Sequence, residues 1–280
     1  MSSFVMAAVL FGALLHASWN ALLRSGRGDK YLDIALIVCG GGLVAGATLV
    51  FLPLPASASW PYLVASAIIQ LAYFWLLAAV YRKADLSYVY PMMRGAAPLF
   101  TALVAGIFVA EQLAAGTWAG IALIAAGIAL LAASQWRSGR FDPVLLLMAF
   151  GTAGLICAYT VIDGIGTRLS GNAFAYVGWM MALDGIAMAI FVLIRFRDKL
   201  RQLAGRWRAG IGGGFCAWAS YGIALWAMTK APIATVAALR ETSVIFAAFI
   251  AAAYLKEKLD GSRYAAAALV CAGAVLLKLS

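Results

Sequence analysis

Arg94 and Arg240 lie 146 residues apart, each inside a long apolar run. A guanidinium stays protonated and grips a carboxylate or phosphonate through two parallel hydrogen bonds. At bilayer depth such a charge is costly unless it is paired or hydrated, so each arginine invites a functional reading. Two readings stand side by side. In one, the arginines contact a substrate or a gate. In the other, Arg240 pairs with Glu241 or Asp184, and Arg94 with backbone carbonyls, to hold helices together. His16, Trp19 and Asn20 add a polar and aromatic face, at positions i, i+3 and i+4 of one helix. His16 is the only histidine and, with Asp163 and Asp184, is a candidate for proton coupling. Tyr90, Tyr159, Trp179, Trp218 and Tyr221 are suited to form aromatic walls for an amino-acid side chain or an organic cation. The candidate substrate-binding set is His16, Trp19, Asn20, Tyr90, Arg94, Tyr159, Trp179, Tyr221, Arg240 and Glu241.

The elements that must position these residues come in two copies. Arg94–Gly127 and Arg240–Gly273 share one register: Arg94 with Arg240, Phe100 with Phe246, Glu111 with Glu257, Leu113 with Leu259, Trp118 with Tyr264, Gly127 with Gly273. Alanine and leucine matches would be expected by chance in so apolar a chain, but an arginine, a glutamate, an aromatic and a glycine in step would not. Upstream, Lys83-Ala84 answers Lys230-Ala231 at a spacing of 147, which implies a one-residue gap before Arg94. Glu111 and Glu257 fall in turns and are expected to cap, or to pair with Lys256, Lys258 or Arg263. Pro91, Gly95 and Pro98 weaken the backbone ladder around Arg94 and predict a bend there.

Of the 280 residues, 65% are hydrophobic and 11% charged, a mixture that cannot build a water-facing surface. Apolar stretches of membrane-spanning length occur at about 4–23, 33–52, 60–81, 87–109, 115–134, 144–166, 173–194, 210–229, 234–255 and 261–278. The fold expected is an all-α integral membrane protein of ten transmembrane helices. Five spans per repeat make the second half inverted relative to the first. The halves are 1–136 and 143–280, joined through the Ser134–Asp142 loop. The first stretch has no basic n-region and no small-residue cleavage site, so it reads as a span rather than a signal peptide.

The net charge of +10 is a topology signal rather than a nucleic-acid footprint. Sixteen Lys and Arg fall in the odd-numbered loops, three in the even loops and ends, and the remaining two are Arg94 and Arg240. The positive-inside rule puts the charge-rich face in the cytoplasm and both termini outside. Arg195–Arg208 interleaves basic and apolar residues, which suits either anionic headgroups or a solvated loop. Cys39, Cys157, Cys216 and Cys271 all fall in spans without metal-ligand spacing, so neither metal nor disulfide is expected. No HExxH, GxSxG or Walker pattern occurs, and neither enzymatic activity nor a cofactor is expected.

The Lys-Ala turn, the polar helix start, Phe100, the Glu111 turn and the Gly127 helix, with their second copies, resemble the EamA-type ten-helix members of the drug/metabolite transporter superfamily. That pattern favours proline in the arginine helix, met by Pro91 and Pro98 but lost in the second copy, where Val244 replaces Pro98. The resemblance implies a central cavity lined by spans one, three, four, six, eight and nine. It also implies export of amino acids, metabolites or amphipathic drugs. Many relatives keep their termini in the cytoplasm, whereas the charge count here places them in the periplasm. The expectation is a monomeric secondary transporter of a bacterial inner membrane, exporting small metabolites, foremost amino acids, by alternating access. An exporter of aromatic or cationic drugs is the alternative, and a membrane-embedded enzyme or scaffold a distant third. Partners reduce to a small-molecule substrate and the lipid bilayer, with no nucleic acid.

Overall fold

The computed structural model describes the backbone of residues 1–25, 29–83, 86–136, 143–255 and 261–280. Of these, 24–25, 81, 86–92, 131–132, 134–136, 251–255 and 263 are described by their backbone alone. The helices in order are α1 (Ser3–Ser25), α2 (Lys30–Leu49), α3 (Trp60–Lys83), α4 (Leu86–Phe108), α5 (Ala115–Trp136), α6 (Pro143–Leu169), α7 (Ala173–Arg195), α8 (Leu200–Ala204), α9 (Trp207–Met228), α10 (Ile233–Arg240), α11 (Ser243–Leu255) and α12 (Gly261–Leu279). Short 3₁₀ turns, Ser57–Ser59 and Arg197–Lys199, precede α3 and α8.

Among the described residues, seven helical stretches are long and apolar enough to cross a membrane, and three shorter apolar ones lie in α4, α5 and α12. Together they correspond to the ten spans expected. Their ends follow local chemistry. Asp29 caps α2 by accepting from the Tyr31 N–H, and Asn172 caps α7 by accepting from the Ala175 N–H. Pro143 begins α6, where its missing N–H costs nothing. Lys278 Nζ donates to the Met1 carbonyl at 2.8 Å, so both ends of the chain meet on one face, as an even number of crossings requires.

Repeat counterparts pack on each other. A Cβ at Gly127 would fall 2.8 Å from the Ala266 carbonyl, and one at Gly273 would fall 2.7 Å from the Gly120 carbonyl. The register of 146 turns the first contact into the second, so the α5–α12 crossing maps onto itself when the halves are exchanged. That is the signature of a two-fold relation. The counterparts α2 and α7 meet likewise, where a Cβ on Gly42 would come 2.7 Å from the Gly185 Cα. Small residues let backbones approach closely where lipid offers helices no hydrophobic drive to associate.

One expected span is interrupted. The run 234–255 is not one helix but two, α10 and α11, with a break at Glu241 and Thr242. The backbone tightens there to i→i−3 bonds, from the Thr242 N–H to Leu239 and from the Val244 N–H to Glu241. The Thr242 hydroxyl also donates to the Leu239 carbonyl at 2.7 Å, competing with the regular ladder. The bend expected at Pro91 and Pro98 is not a break: α4 runs unbroken through both, and the interruption falls in the copy without proline.

On the charge-rich face, Asp33 of α2 accepts from Arg206 at 2.5 Å, with Lys30 at 3.7 Å. Leu200 and Leu203 of α8 pack against the core, while Arg201 and Trp207 face outward. The expected boundary loop 137–142, together with Glu257, Lys256 and Lys258, lies outside the described residues, as does the Arg263 side chain.

Candidate functional site

The two arginines have different surroundings. Arg94 is 3% exposed, and its Nε lies 2.7 Å from Glu241 Oε2, an ion pair between α4 and the α10–α11 break. Its Nη2 donates to Ser243 Oγ at 3.3 Å. Glu241 is therefore the partner of Arg94, not of Arg240, and Arg94 is held by side chains of the other half. A buried pair of this kind is neutral as a unit, so it neither attracts nor repels a substrate strongly.

Arg240 ends α10 on the wall of a cavity. Its guanidinium sits over the Tyr221 ring at 4.9 Å from the centroid, and no described group accepts from its Nε. The cavity, of about 60 Å³, is lined among others by His16 and Trp19 of α1, Gln70, Tyr73 and Phe74 of α3, Tyr159 of α6, Asp184 of α7 and Tyr221 of α9. Tyr73 meets Tyr159 at 5.6 Å between centroids, and Tyr159 meets Tyr221 at 6.1 Å, so a file of aromatic rings leads to the arginine.

The acids also divide. Asp163, fully buried, accepts from Tyr176 at 2.9 Å and Gln70 at 3.3 Å, and from the Tyr221 hydroxyl. It orients Tyr221, and through that ring the bed on which Arg240 lies. Asp184 is 2% exposed on the cavity wall, and its Oδ1 takes no hydrogen bond from any described group. An arginine and an aspartate with unused hydrogen-bonding capacity thus line one cavity, while Arg94 and Glu241 pair with each other beside it.

The remaining sequence candidates fall in several places. His16 and Trp19 line the cavity with rings 5.0 Å apart, and Asn20 turns back to donate to the His16 carbonyl. Trp179 packs on Trp60, and Trp218 on Phe174 and Phe215, none of them on the cavity wall. The Tyr90 side chain lies outside the described residues. Sequence reasoning passed over Gln70, although a lone amide in the middle of an apolar span was a usable signal. It also did not anticipate lining residues from α2 (Ile34, Ile37, Val38) or Met181 of α7, beside the candidate Asp184. No group of three or more metal-ligating side chains is found among the described residues.

Membrane-crossing helices around a small cavity, with a buried arginine on its aromatic wall, define the protein's class: a multi-span membrane protein. The family model of the EamA-like transporter family matches residues 144–279, the second half of the chain, and places that half in the drug/metabolite transporter superfamily. A crystal structure of a protein 18% identical to this chain superposes with a TM-score of 0.78, over 100% of this chain and 99% of that one, and shows the same fold. Among curated proteins, no sequence match is found.

Proposed function

We propose that this transporter exports small zwitterionic metabolites, foremost amino acids, by alternating access. The observation that carries this reading is Arg240. It is a fixed cation on the cavity wall, without an ion pair among the described residues, and it lies beside an acid, Asp184, that also has bonding capacity to spare. A carboxylate suits the guanidinium fork, and an ammonium suits the carboxylate of Asp184. Tyr73, Phe74, Tyr159 and Trp19 provide the apolar wall for the rest of the molecule.

The export of cationic drugs is the second reading, and the same aromatic wall favours it. Arg240 opposes it, because a fixed positive charge repels a cation in a site of low dielectric. In this proposal the carrier is a monomer in a bacterial inner membrane, with both ends of the chain in the periplasm. Proton coupling would involve His16, Asp163 or Asp184. Uptake into proteoliposomes of labelled amino acids, their deaminated analogues and organic cations, with and without a pH gradient, tests the reading. Amino acids should be carried and the deaminated analogues carried poorly; transport of cations alone would overturn it.

A further inference from the structure

Far from the cavity, on the charge-poor face, the two halves are joined by a second polar contact. Glu111 lies in the α4–α5 turn beside Ala110, whose backbone is left-handed (φ 53°). Glu111 Oε1 accepts from the Ile233 N–H at 2.8 Å and from Arg168 Nη2 at 2.8 Å, and Oε2 accepts from the Ala234 N–H at 3.3 Å. Arg168, at the end of α6, also donates to the carbonyls of Met228 at 2.9 Å and Ala231 at 3.2 Å. The last turn of α9 and the first turn of α10 are thus held by one carboxylate and one guanidinium.

This cap is unusual in its source. Pro232, just before α10, has no side chain able to cap, whereas α7 is capped by its own Asn172. The free N–H groups of α10 are satisfied instead by a carboxylate 122 residues away in the other half. A local cap would serve the helix in every conformation. A cap from the opposite half serves it only while the halves are together on this face.

The helix so held is also the one that carries Arg240. α10 has 8 residues, a rod of roughly 12 Å, with the cap at one end, Arg240 at the other, and the Glu241–Thr242 break behind it. We propose that Glu111 and Arg168 form a latch that holds the charge-poor face shut, and that α10 swings on the Glu241–Thr242 break when the latch opens. The proposal rests on the alternating-access reading above. Arg168 is 34% exposed at its side chain, so water can replace the contacts as they part. In the sequence register, Glu257 stands where Glu111 does, and Leu86, the first residue of α4, where Ile233 does at the upstream spacing of 147. Glu257 lies outside the described residues and enters only through its place in the repeat.

The test uses Ala217→Cys, on the cavity wall, in the full-length protein with its four native cysteines replaced by serine and reconstituted in liposomes of known orientation. A membrane-impermeant maleimide added from each side reports access to the cavity. Glu111→Gln and Arg168→Gln should each raise labelling from the charge-poor side about tenfold and lower it from the other. Labelling that is unchanged, or raised equally from both sides, while thermal stability falls would reduce Glu111 to a static cap and overturn the latch. A parent Ala217→Cys protein labelled from one side only, in every variant, would instead overturn alternating access itself.

Discussion

Arg94 makes its ion pair with Glu241, the residue directly after its own repeat counterpart, Arg240. The pairing crosses the two halves and is not reciprocated: no described carboxylate forms an ion pair with Arg240. Two residues related by duplication have therefore taken different tasks, one tying α4 to the break in span nine, the other facing the cavity. Buried acids and bases decide this by availability. Only one glutamate lies at the break, and once Arg94 holds it, Arg240 is left to the Tyr221 ring and the cavity.

Arg94→Ala should reduce folded protein before it alters selectivity. It leaves Glu241 buried without its partner, a change that typically costs about 3–5 kcal/mol. Thermal unfolding in detergent should show the loss, and Arg94→Ala with Glu241→Ala should recover part of it. Full stability in the single variant would refute the pairing as a structural element.

Arg240→Lys should keep the fold and impair transport, because an ammonium does not reproduce the bidentate fork. Loss of one charge-assisted contact is worth about 1.5–3 kcal/mol, roughly 10–150-fold in substrate affinity. Binding of a labelled amino acid and detergent-stable yield, measured together, check it. Unchanged affinity at unchanged yield would remove Arg240 from recognition and move attention to His16 and Trp19.

Asp184→Asn should act on one end of the substrate only. Affinity for amino acids should fall by about tenfold or more, while affinity for the matching deaminated acids stays level. Competition of each against a labelled amino acid gives the ratio. An equal loss for both classes would mean that Asp184 supports the fold or a proton step rather than an ammonium.

Gly273→Leu should weaken the α5–α12 crossing, since even its Cβ would lie 2.7 Å from the Gly120 carbonyl. Overpacking of this kind costs about 1–3 kcal/mol. Gly46→Ala, where a Cβ meets nothing within 4 Å, is the matched control and should be neutral or slightly stabilising. Differential scanning of the two variants side by side settles whether the repeat interface or helix propensity governs.

Ala204→Cys, at the end of α8 on the charge-rich face, should be protected from an impermeant thiol reagent in intact spheroplasts and react once the membrane is opened. This follows from the charge asymmetry of sixteen to three. Prompt reaction in intact spheroplasts would reverse the topology and bring the termini into the cytoplasm.

The spans, the duplicated register and the two intramembrane arginines were legible in the sequence because apolar length and fixed spacing are properties of the chain in one dimension. The glycines of the α5–α12 crossing belong to the same class, since Gly127 and Gly273 already stood in register. What the sequence could not determine was which partner each polar group would take. Glu111 reaches Ile233 across 122 residues, and Arg94 reaches Ser243 across 149. Such contacts depend on how whole helices come to lie beside each other, and in the sequence Glu241 reads as a partner of its neighbour Arg240 rather than of Arg94. The break in span nine was hidden for the same reason. Its Ile-Phe-Ala-Ala run looks like one continuous span, and only the tertiary fold, which brings Arg94 to Glu241 and Ser243, shows where the helix is interrupted and which end of it faces the cavity.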